Sequence, residues 1–302
     1  MKKIIILLLV TVTFNCKDSK RDNGKLNIVT TTTMISDLVQ NIGGDNINLE
    51  GLMGSGVDPH LYKASEGDVT KLVNADIIFY NGLHLEGKLV EVFEKMESAH
   101  KTPVALSDAI DKRTLIGSEY FASNYDPHVW FNIAYFKLFA QKVARVLSEK
   151  DPKNANSYKQ NETKYLEQLD ILETTIKATI ATLPQEKRIL VTAHDAFSYF
   201  GKNYAFEVVG LQGLSTATEA GVQDVQELAA FIIEKEVKAV FIESSVPKRT
   251  IEALQAAVNS KGYAIEIGGT LYSDALGNNG TPEGTYIGMF EYNVNTIVNA
   301  LK

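Results

Sequence analysis

Three histidines and one aspartate occupy comparable places in the predicted secondary structure of this 302-residue chain. His60 follows the second predicted β-strand, and His128 follows the fourth. His194 comes directly after a strand predicted at residues 188–192, and Asp274 comes after the last strand. Ligands of parallel α/β sheets bind at the carboxyl ends of the strands. Three imidazoles and one carboxylate closing in from two halves of the chain would make a complete tetrahedral set for a divalent metal.

The wide separation of these residues leaves other interpretations open. A histidine in a loop is commonly a surface or capping residue, and wide separations lack the specificity of a compact metal motif. Three histidines also resemble the ligands of a zinc hydrolase, which needs an open fourth position for water and a nearby general base. Asp274 would fill that position, and the chain contains no His-Glu-x-x-His or Gly-x-Ser-x-Gly motif. We therefore expect a protein that is not an enzyme.

The elements that must position these residues are predicted as two α/β arrays separated by one long helix. Residues 152–183 repeat apolar side chains at helical spacing, with Asp151 as N-cap and Pro184 after the end. In residues 26–151, and again in residues 184–302, predicted strands alternate with helices. The predicted fold class is α/β with two lobes, each a parallel sheet with helical crossovers, joined by a single long helix. The metal would lie in the cleft between the lobes.

Capping residues in the sequence predict where further helices begin. Ser65 and Asp68 predict a capping box at the start of a helix. Thr281 is predicted as the N-cap of the final helix, after a glycine-rich loop at residues 268–284. At about 1.5 Å per residue the long helix would extend about 48 Å, enough to touch both lobes.

The amino terminus predicts export. Lys2 and Lys3 precede an apolar run that is too short to span a bilayer, so residues 1–15 are predicted to be a signal peptide. Cys16, the only cysteine, follows where a bacterial lipoprotein would be cleaved and acylated. The alternative is a chance cysteine within the signal peptide. With residues 16–25 as a polar tether, the chain is expected to be a periplasmic or cell-surface lipoprotein attached to the membrane.

Composition excludes some partner classes. The formal charge of −7 argues against nucleic acid or an anionic membrane surface as the main partner and is compatible with a cationic ligand. The length is sufficient for two α/β domains with their own cores. A monomer is expected.

Six short segments carry a family resemblance: residues 56–62 (GVDPHLY), 81–86 (NGLHLE), 126–130 (DPHVW), 192–197 (TAHDAF), 211–216 (LQGLST) and 272–274 (YSD). From Lys25 onward the chain resembles the metal-binding receptors of bacterial ABC importers, the TroA-like group that includes zinc and manganese capture proteins. The resemblance implies two lobes joined by a long helix, with the metal in the cleft. It implies a receptor that delivers its metal to a membrane permease driven by a separate ATPase. An adhesin role, sometimes given to the family, is a third interpretation.

Carried over by position, the ligands of the family fall on His60, His128, His194 and Asp274. Three nitrogens and one carboxylate favour zinc over manganese. Family members that look manganese-specific tend to carry Glu where this chain has His194, whereas zinc members often carry a long His-rich loop that is missing here. Zinc is therefore expected, with manganese as the alternative.

Three carboxylates are candidates for accepting the free N–H of a ligating imidazole: Asp58, Asp195 and Glu243. The alternative for each is a capping role, which is favoured for Asp195 at a predicted helix start. His84 is expected to line the cleft or to be structural rather than to bind metal.

Overall fold

A computed structural model gives the fold and describes residues 24–98, 103–119 and 121–302. The predicted signal peptide at residues 1–15, Cys16 and most of the predicted tether lie outside the described residues. Within the described ranges, no helix combines the length and the apolar character needed to cross a membrane.

The first lobe is a four-stranded parallel sheet with helical connections. Its strands follow the order β2-β1-β3-β4 and are β1 (Leu26–Thr30), β2 (Ile47–Gly51), β3 (Ile77–Tyr80) and β4 (Val104–Ala105). Its helices are α1 (Thr33–Gly43), α2 (Glu66–Asn74), α3 (Val90–Ser98) and α4 (Ile133–Lys150). The predicted capping box is confirmed, because Ser65 Oγ accepts from Asp68 N at 3.2 Å and Asp68 Oδ2 accepts from Ser65 N at 3.0 Å.

The second lobe repeats this topology. Its strands follow the order β6-β5-β7-β8 and are β5 (Ile189–His194), β6 (Glu207–Gln212), β7 (Ala239–Glu243) and β8 (Glu266–Leu271), again all parallel. Its helices are α6 (Ser198–Tyr204), α7 (Val222–Glu234), α8 (Arg249–Ser260) and α9 (Tyr286–Leu301). In both sheets the strand order reverses between the two central strands, where a crevice for ligands forms beyond the carboxyl ends.

A long helix, α5 (Ala155–Ala181), connects the lobes. It packs against α1 and α4 of the first lobe and also against α9 of the second. The predicted apolar face is the buried face, and its residues are Tyr158, Tyr165, Leu169, Leu172, Ile176 and Ile180. The largest hydrophobic cluster takes side chains from both sheets, including Phe79 of β3 and Phe241 of β7. One hydrophobic cluster therefore spans the two lobes, and each lobe has a further cluster of its own.

Helix α5 is shorter than the predicted helix at both ends. Residues Pro152–Asn154 form a 3-10 turn, and the carboxylate of Asp151 accepts from the Tyr158 hydroxyl at 2.7 Å instead of capping backbone N–H groups. Near the other end, the N–H groups of Thr182 and Leu183 bond to carbonyls three residues back, in the tighter 3-10 pattern. The 27-residue α-helix therefore extends about 40 Å.

Two other boundaries differ from prediction. Thr281 precedes only a 3-10 turn at Pro282–Gly284, and Thr285 caps α9 by accepting from Gly288 N at 3.1 Å. Gly268 and Gly269 lie within β8 and not in a loop. A Cβ atom at Gly268 would lie 2.7 Å from the Phe241 ring, so packing against β7 requires glycine there.

Candidate metal centre

Two Asp-Pro-His turns of the first lobe present His60 and His128. In the first turn, Asp58 Oδ1 accepts from His60 N at 2.8 Å, and in the second, Asp126 Oδ1 accepts from His128 N at 2.9 Å. This local side-chain-to-backbone bond is the usual way in which an aspartate fixes a turn. Asp126 Oδ1 also contacts His128 Nδ1 at 2.7 Å, which holds the ring with Nε2 toward the cleft.

The loop after β3 is hydrogen-bonded to the turn that carries His128. Glu86 is buried and accepts from the Thr31 hydroxyl and from Asn81 N, each at 2.7 Å. Burial raises the pKa of Glu86, against the effect of these hydrogen bonds. Asn81 Nδ2 in turn donates to the Pro127 carbonyl at 3.0 Å. The orientation of His128 therefore depends on a hydrogen-bond network that crosses the end of the first sheet.

The second lobe supplies His194 and Asp274. His194 is the last residue of β5, whereas the prediction placed it just after the strand. Glu243, the last residue of the adjacent β7, accepts from His194 N at 2.8 Å and contacts His194 Nδ1 at 2.5 Å. Asp274 follows β8, and the carbonyl of its neighbour Ser273 accepts from Trp130 Nε1 of the first lobe at 3.1 Å. This bond links the Asp274 loop to the His128 segment.

The four side chains meet between the lobes. One ligand atom from each of His60, His128, His194 and Asp274 lies within 4.8 Å of all the others. His60 Nε2 is 3.3 Å from His128 Nε2, and the carboxylate of Asp274 lies 3.2–3.7 Å from the three Nε2 atoms. A tetrahedron with metal–ligand bonds of about 2.0–2.1 Å has edges of about 3.3–3.4 Å. The spacing therefore fits one divalent ion.

The site is closed to water, and its charges are strongly coupled. His60 is 5% exposed and the other three residues are at most 1% exposed. Burial lowers the pKa of His60 to about 3. Burial also lowers the pKa of His194, but the carboxylates of Glu243 and Asp274 outweigh it and hold that pKa well above its ordinary value. Burial opposes ionisation of Asp274, yet the three imidazoles hold its pKa well below the usual range.

Several polar atoms at the centre have no hydrogen-bond partner within the described part of the chain. They include both carboxylate oxygens of Asp274 and Nε2 of His194. Buried polar atoms without partners are unfavourable and call for a partner such as an ion. A dication bound here would meet a carboxylate and imidazole nitrogens, a donor set that suits zinc.

Of the three carboxylates expected to support an imidazole, only Glu243 does so. Asp58 accepts the backbone N–H of His60 and the Thr216 hydroxyl instead. Asp195 accepts from Ser198 Oγ at 2.6 Å, but it does not cap α6 as the sequence suggested, because Phe197 is the N-cap residue and no side chain caps that helix. The sequence analysis did not name Asp126 as a carboxylate that supports an imidazole. The repeated Asp-Pro-His sequence was the signal that could have identified it. His84 is exposed and lies outside the cluster.

Comparison with known proteins places the chain in a family. The family model described as "ZnuA: Zinc-uptake complex component A periplasmic" matches residues 28–300. The chain is 48% identical to the "Zinc-binding protein TroA" of Treponema pallidum (strain Nichols) over 291 residues, covering 96% of this chain and 93% of that protein. It is 46% identical to the "Manganese-binding lipoprotein MntA" of Bacillus subtilis (strain 168) over 283 residues, covering 94% and 92%.

The fold agrees with the sequence comparison. The solved structure described as the periplasmic zinc binding protein TroA from Treponema pallidum superposes with a TM-score of 0.89 at 48% identity. The superposition covers 92% of this chain and 99% of the other. By sequence, fold and the extent of both matches, the chain belongs to the ZnuA family of periplasmic zinc-uptake components.

Proposed function

We propose that the protein is an extracytoplasmic receptor that captures one Zn²⁺ ion with His60, His128, His194 and Asp274. The observation that carries this proposal is the convergence of the four ligand atoms within 4.8 Å of one another. Burial of all four, with both Asp274 oxygens lacking a hydrogen-bond partner among the described residues, supports a site that encloses an ion completely.

Zinc is the preferred metal in this proposal, with manganese as the alternative. Three neutral imidazoles are softer ligands than the oxygen-rich sets that manganese prefers, and the Irving–Williams order also favours zinc. The names of the two relatives differ in the metal, since TroA is named for zinc and MntA for manganese. Because nitrogen donors outnumber oxygen donors in this chain, we expect zinc to displace manganese in direct competition.

The receptor passes its metal to an ABC-type membrane permease that a separate ATPase drives. Support comes from relatives with printed names such as "Metal ABC transporter substrate-binding lipoprotein SsaB" of Streptococcus sanguinis, 33% identical over 315 residues. In this proposal residues 1–15 are a removed signal peptide, and Cys16 carries lipid at the start of a tether over residues 16–25. The mature protein is a monomer held at the membrane surface.

The proposed division is an N-terminal lobe at residues 26–151, a linking helix at residues 152–183 and a C-terminal lobe at residues 184–302. Each lobe contributes two ligands, so that an ion binds both halves. A catalytic zinc centre would keep one coordination position open for water. Asp274 fills the fourth position here, which supports a receptor over a hydrolase.

Elemental analysis of protein purified without added metal tests the proposal directly. We expect about one zinc per chain, with binding lost in His60→Ala and zinc displacing manganese in calorimetric competition. An unchanged zinc stoichiometry and affinity in His60→Ala would refute the ligand assignment. Displacement of zinc by equimolar manganese would refute the metal preference.

A further inference from the structure

The imidazole of His60 is held less directly than the imidazoles of the other two candidate histidine ligands. The Nδ1 atoms of His128 and His194 each lie within 2.7 Å of a carboxylate oxygen. The part of the chain that the structure describes offers His60 Nδ1 no hydrogen bond, and its backbone N–H donates to Asp58 Oδ1 at 2.8 Å instead. The place of the His60 ring therefore depends on the backbone of its turn.

The His60 loop, which we define as residues 54–60, comes from the first lobe but lies against the second. Ser55 Oγ donates to the Leu276 carbonyl at 2.9 Å. A Cβ atom placed on Gly56 would lie 3.4 Å from the Ser244 carbonyl, so the two backbones pass close to each other. The loop is therefore held by segments that follow β7 and β8 of the second lobe.

Thr216 makes a third contact with this loop, and it reaches His60 through one side chain. Its hydroxyl donates to Asp58 Oδ2 at 2.5 Å, while Oδ1 of the same carboxylate accepts from His60 N. Thr216 is buried, and a hydrogen bond to a carboxylate is stronger where water is largely excluded. One carboxylate thus joins the second lobe to the backbone of a candidate ligand.

The segment that carries Thr216 is anchored on its own lobe. Gln212, the last residue of β6, donates from Nε2 to the Thr218 carbonyl at 3.1 Å, and its carbonyl accepts from Asp195 N at 3.1 Å. Residues 211–216 (LQGLST) are one of the segments that carry the family resemblance, yet they supply none of the four candidate ligands. The anchoring holds the Thr216 hydroxyl where it can meet Asp58.

We propose that Thr216 is a positioning residue for zinc, which acts through Asp58 to hold the His60 loop against the second lobe and so sets how slowly the ion is released. This inference rests on the proposed function, because it requires His60 to bind the ion. Release requires His60 to separate from the ligands of the second lobe. With the Thr216 bond in place, that separation breaks a hydrogen bond to a carboxylate in addition to a metal–ligand bond.

Three variants of the full chain isolate the hydroxyl of Thr216. Thr216→Val keeps the branched shape but cannot donate, and Thr216→Ala removes the same hydroxyl without placing a methyl group beside the carboxylate. Thr216→Ser restores the donor. Ser215→Ala is the matched control, because Ser215 Oγ accepts from Ala217 N within the same segment and does not cross to the first lobe.

Zinc release is measured by mixing each zinc-loaded protein with excess chelator in a stopped-flow instrument. Trp130 is the only tryptophan, and its ring lies 5.3 Å from the His128 ring, so its emission reports departure of the ion. We expect the dissociation rate constant to rise about tenfold in Thr216→Val and Thr216→Ala, and to stay within about twofold of the wild type in Thr216→Ser and Ser215→Ala. Wild-type release by both hydroxyl-free variants would overturn the proposal. Equally fast release by Thr216→Ser would overturn it too, since the hydrogen bond would then not be the cause.

Hydrogen–deuterium exchange of the metal-free proteins gives a readout that does not depend on zinc. Exchange of residues 54–60 should be faster in Thr216→Val and Thr216→Ala than in the wild type and Thr216→Ser, because a looser Asp58 carboxylate protects His60 N less. Exchange elsewhere should match the wild type. Unchanged exchange of residues 54–60 in a wild type that binds zinc would overturn the role of Thr216 alone. Failure of the wild type to bind zinc would overturn the proposed function, and the role in release with it, even if exchange changes as expected.

Discussion

Glu243 is expected to keep a proton on His194 in the metal-free protein. Burial alone would lower the pKa of His194, but Glu243 and Asp274 hold it well above the ordinary value, and the charge of Glu243 has the larger Coulombic effect of the two. Zinc binds only the neutral imidazole. Loading the site at neutral pH must therefore expel this proton, and Glu243→Gln should remove most of the need to do so.

The size of the effect on zinc affinity follows from the competition between the proton and the zinc ion for His194. Below the raised pKa of His194, the apparent zinc affinity of the wild type should fall about tenfold for each unit that the pH falls. In Glu243→Gln that decline should begin only near or below about 6.5, the ordinary histidine value. At pH 7.5 the variant should release between about half a proton and one proton fewer per zinc bound. His60 does not contribute to this range, since its pKa lies near 3.

Calorimetric titration in two buffers of different ionisation enthalpy measures the released protons. Glutamine retains the volume of Glu243 but has one carbonyl oxygen in place of the two carboxylate oxygens that contact His194 N and His194 Nδ1. The zinc affinity of the variant should therefore also be about 10- to 100-fold weaker. The slope of affinity against pH separates the proton effect from this loss of orientation. Glu207→Gln, an exposed glutamate far from the site, is the control and should match the wild type.

Equal proton release by the wild type and Glu243→Gln at pH 7.5 would refute this reasoning. It would mean that His194 is neutral before zinc arrives, and that Glu243 acts only by orienting the ring.

Three further predictions concern ligands and stability. His128→Ala should weaken zinc binding more than about a hundredfold, while His84→Ala, at an exposed histidine outside the cluster, should stay within about twofold in the same titration. Ser65→Ala should cost about 1 kcal/mol of unfolding free energy in urea denaturation, because helix α2 loses its N-cap oxygen; an unchanged midpoint would contradict the capping role. Tyr286→Phe should cost about 1–2 kcal/mol in the same assay, because the buried hydroxyl donates to the Trp130 carbonyl at 2.6 Å. A neutral effect would show that this carbonyl finds another donor.

The fold and the placement of the four candidate ligands could be predicted because both follow from local patterns. Alternating strands and helices indicate parallel sheets, and a residue just after such a strand lies at the binding edge whatever the rest of the chain does. That rule placed His60, His128, His194 and Asp274 at the binding edge before any coordinates. The family resemblance then fell on the same four residues.

The remaining details depend on contacts between distant segments. Asp58 and Asp126 occupy the same place in the same tripeptide, yet only Asp126 reaches the imidazole of its histidine. Ring orientation decides this difference, and packing against the rest of the protein sets that orientation. Likewise, glycine disfavours strands on average, so the extent of β8 could not be read without knowing that the Phe241 ring lies against Gly268.

The shared hydrophobic core has a thermodynamic consequence. Because one face of each sheet and the apolar face of α5 form one cluster, melting of either half would expose apolar surface of the other half. An ion held by both halves would then raise the unfolding free energy of the whole chain by RT ln(1 + [L]/Kd), where [L] is the concentration of the free ion. The melting temperature would rise with it, in one cooperative transition. Thermal denaturation would report occupancy of the site as a single shifted transition, with no early loss of one half.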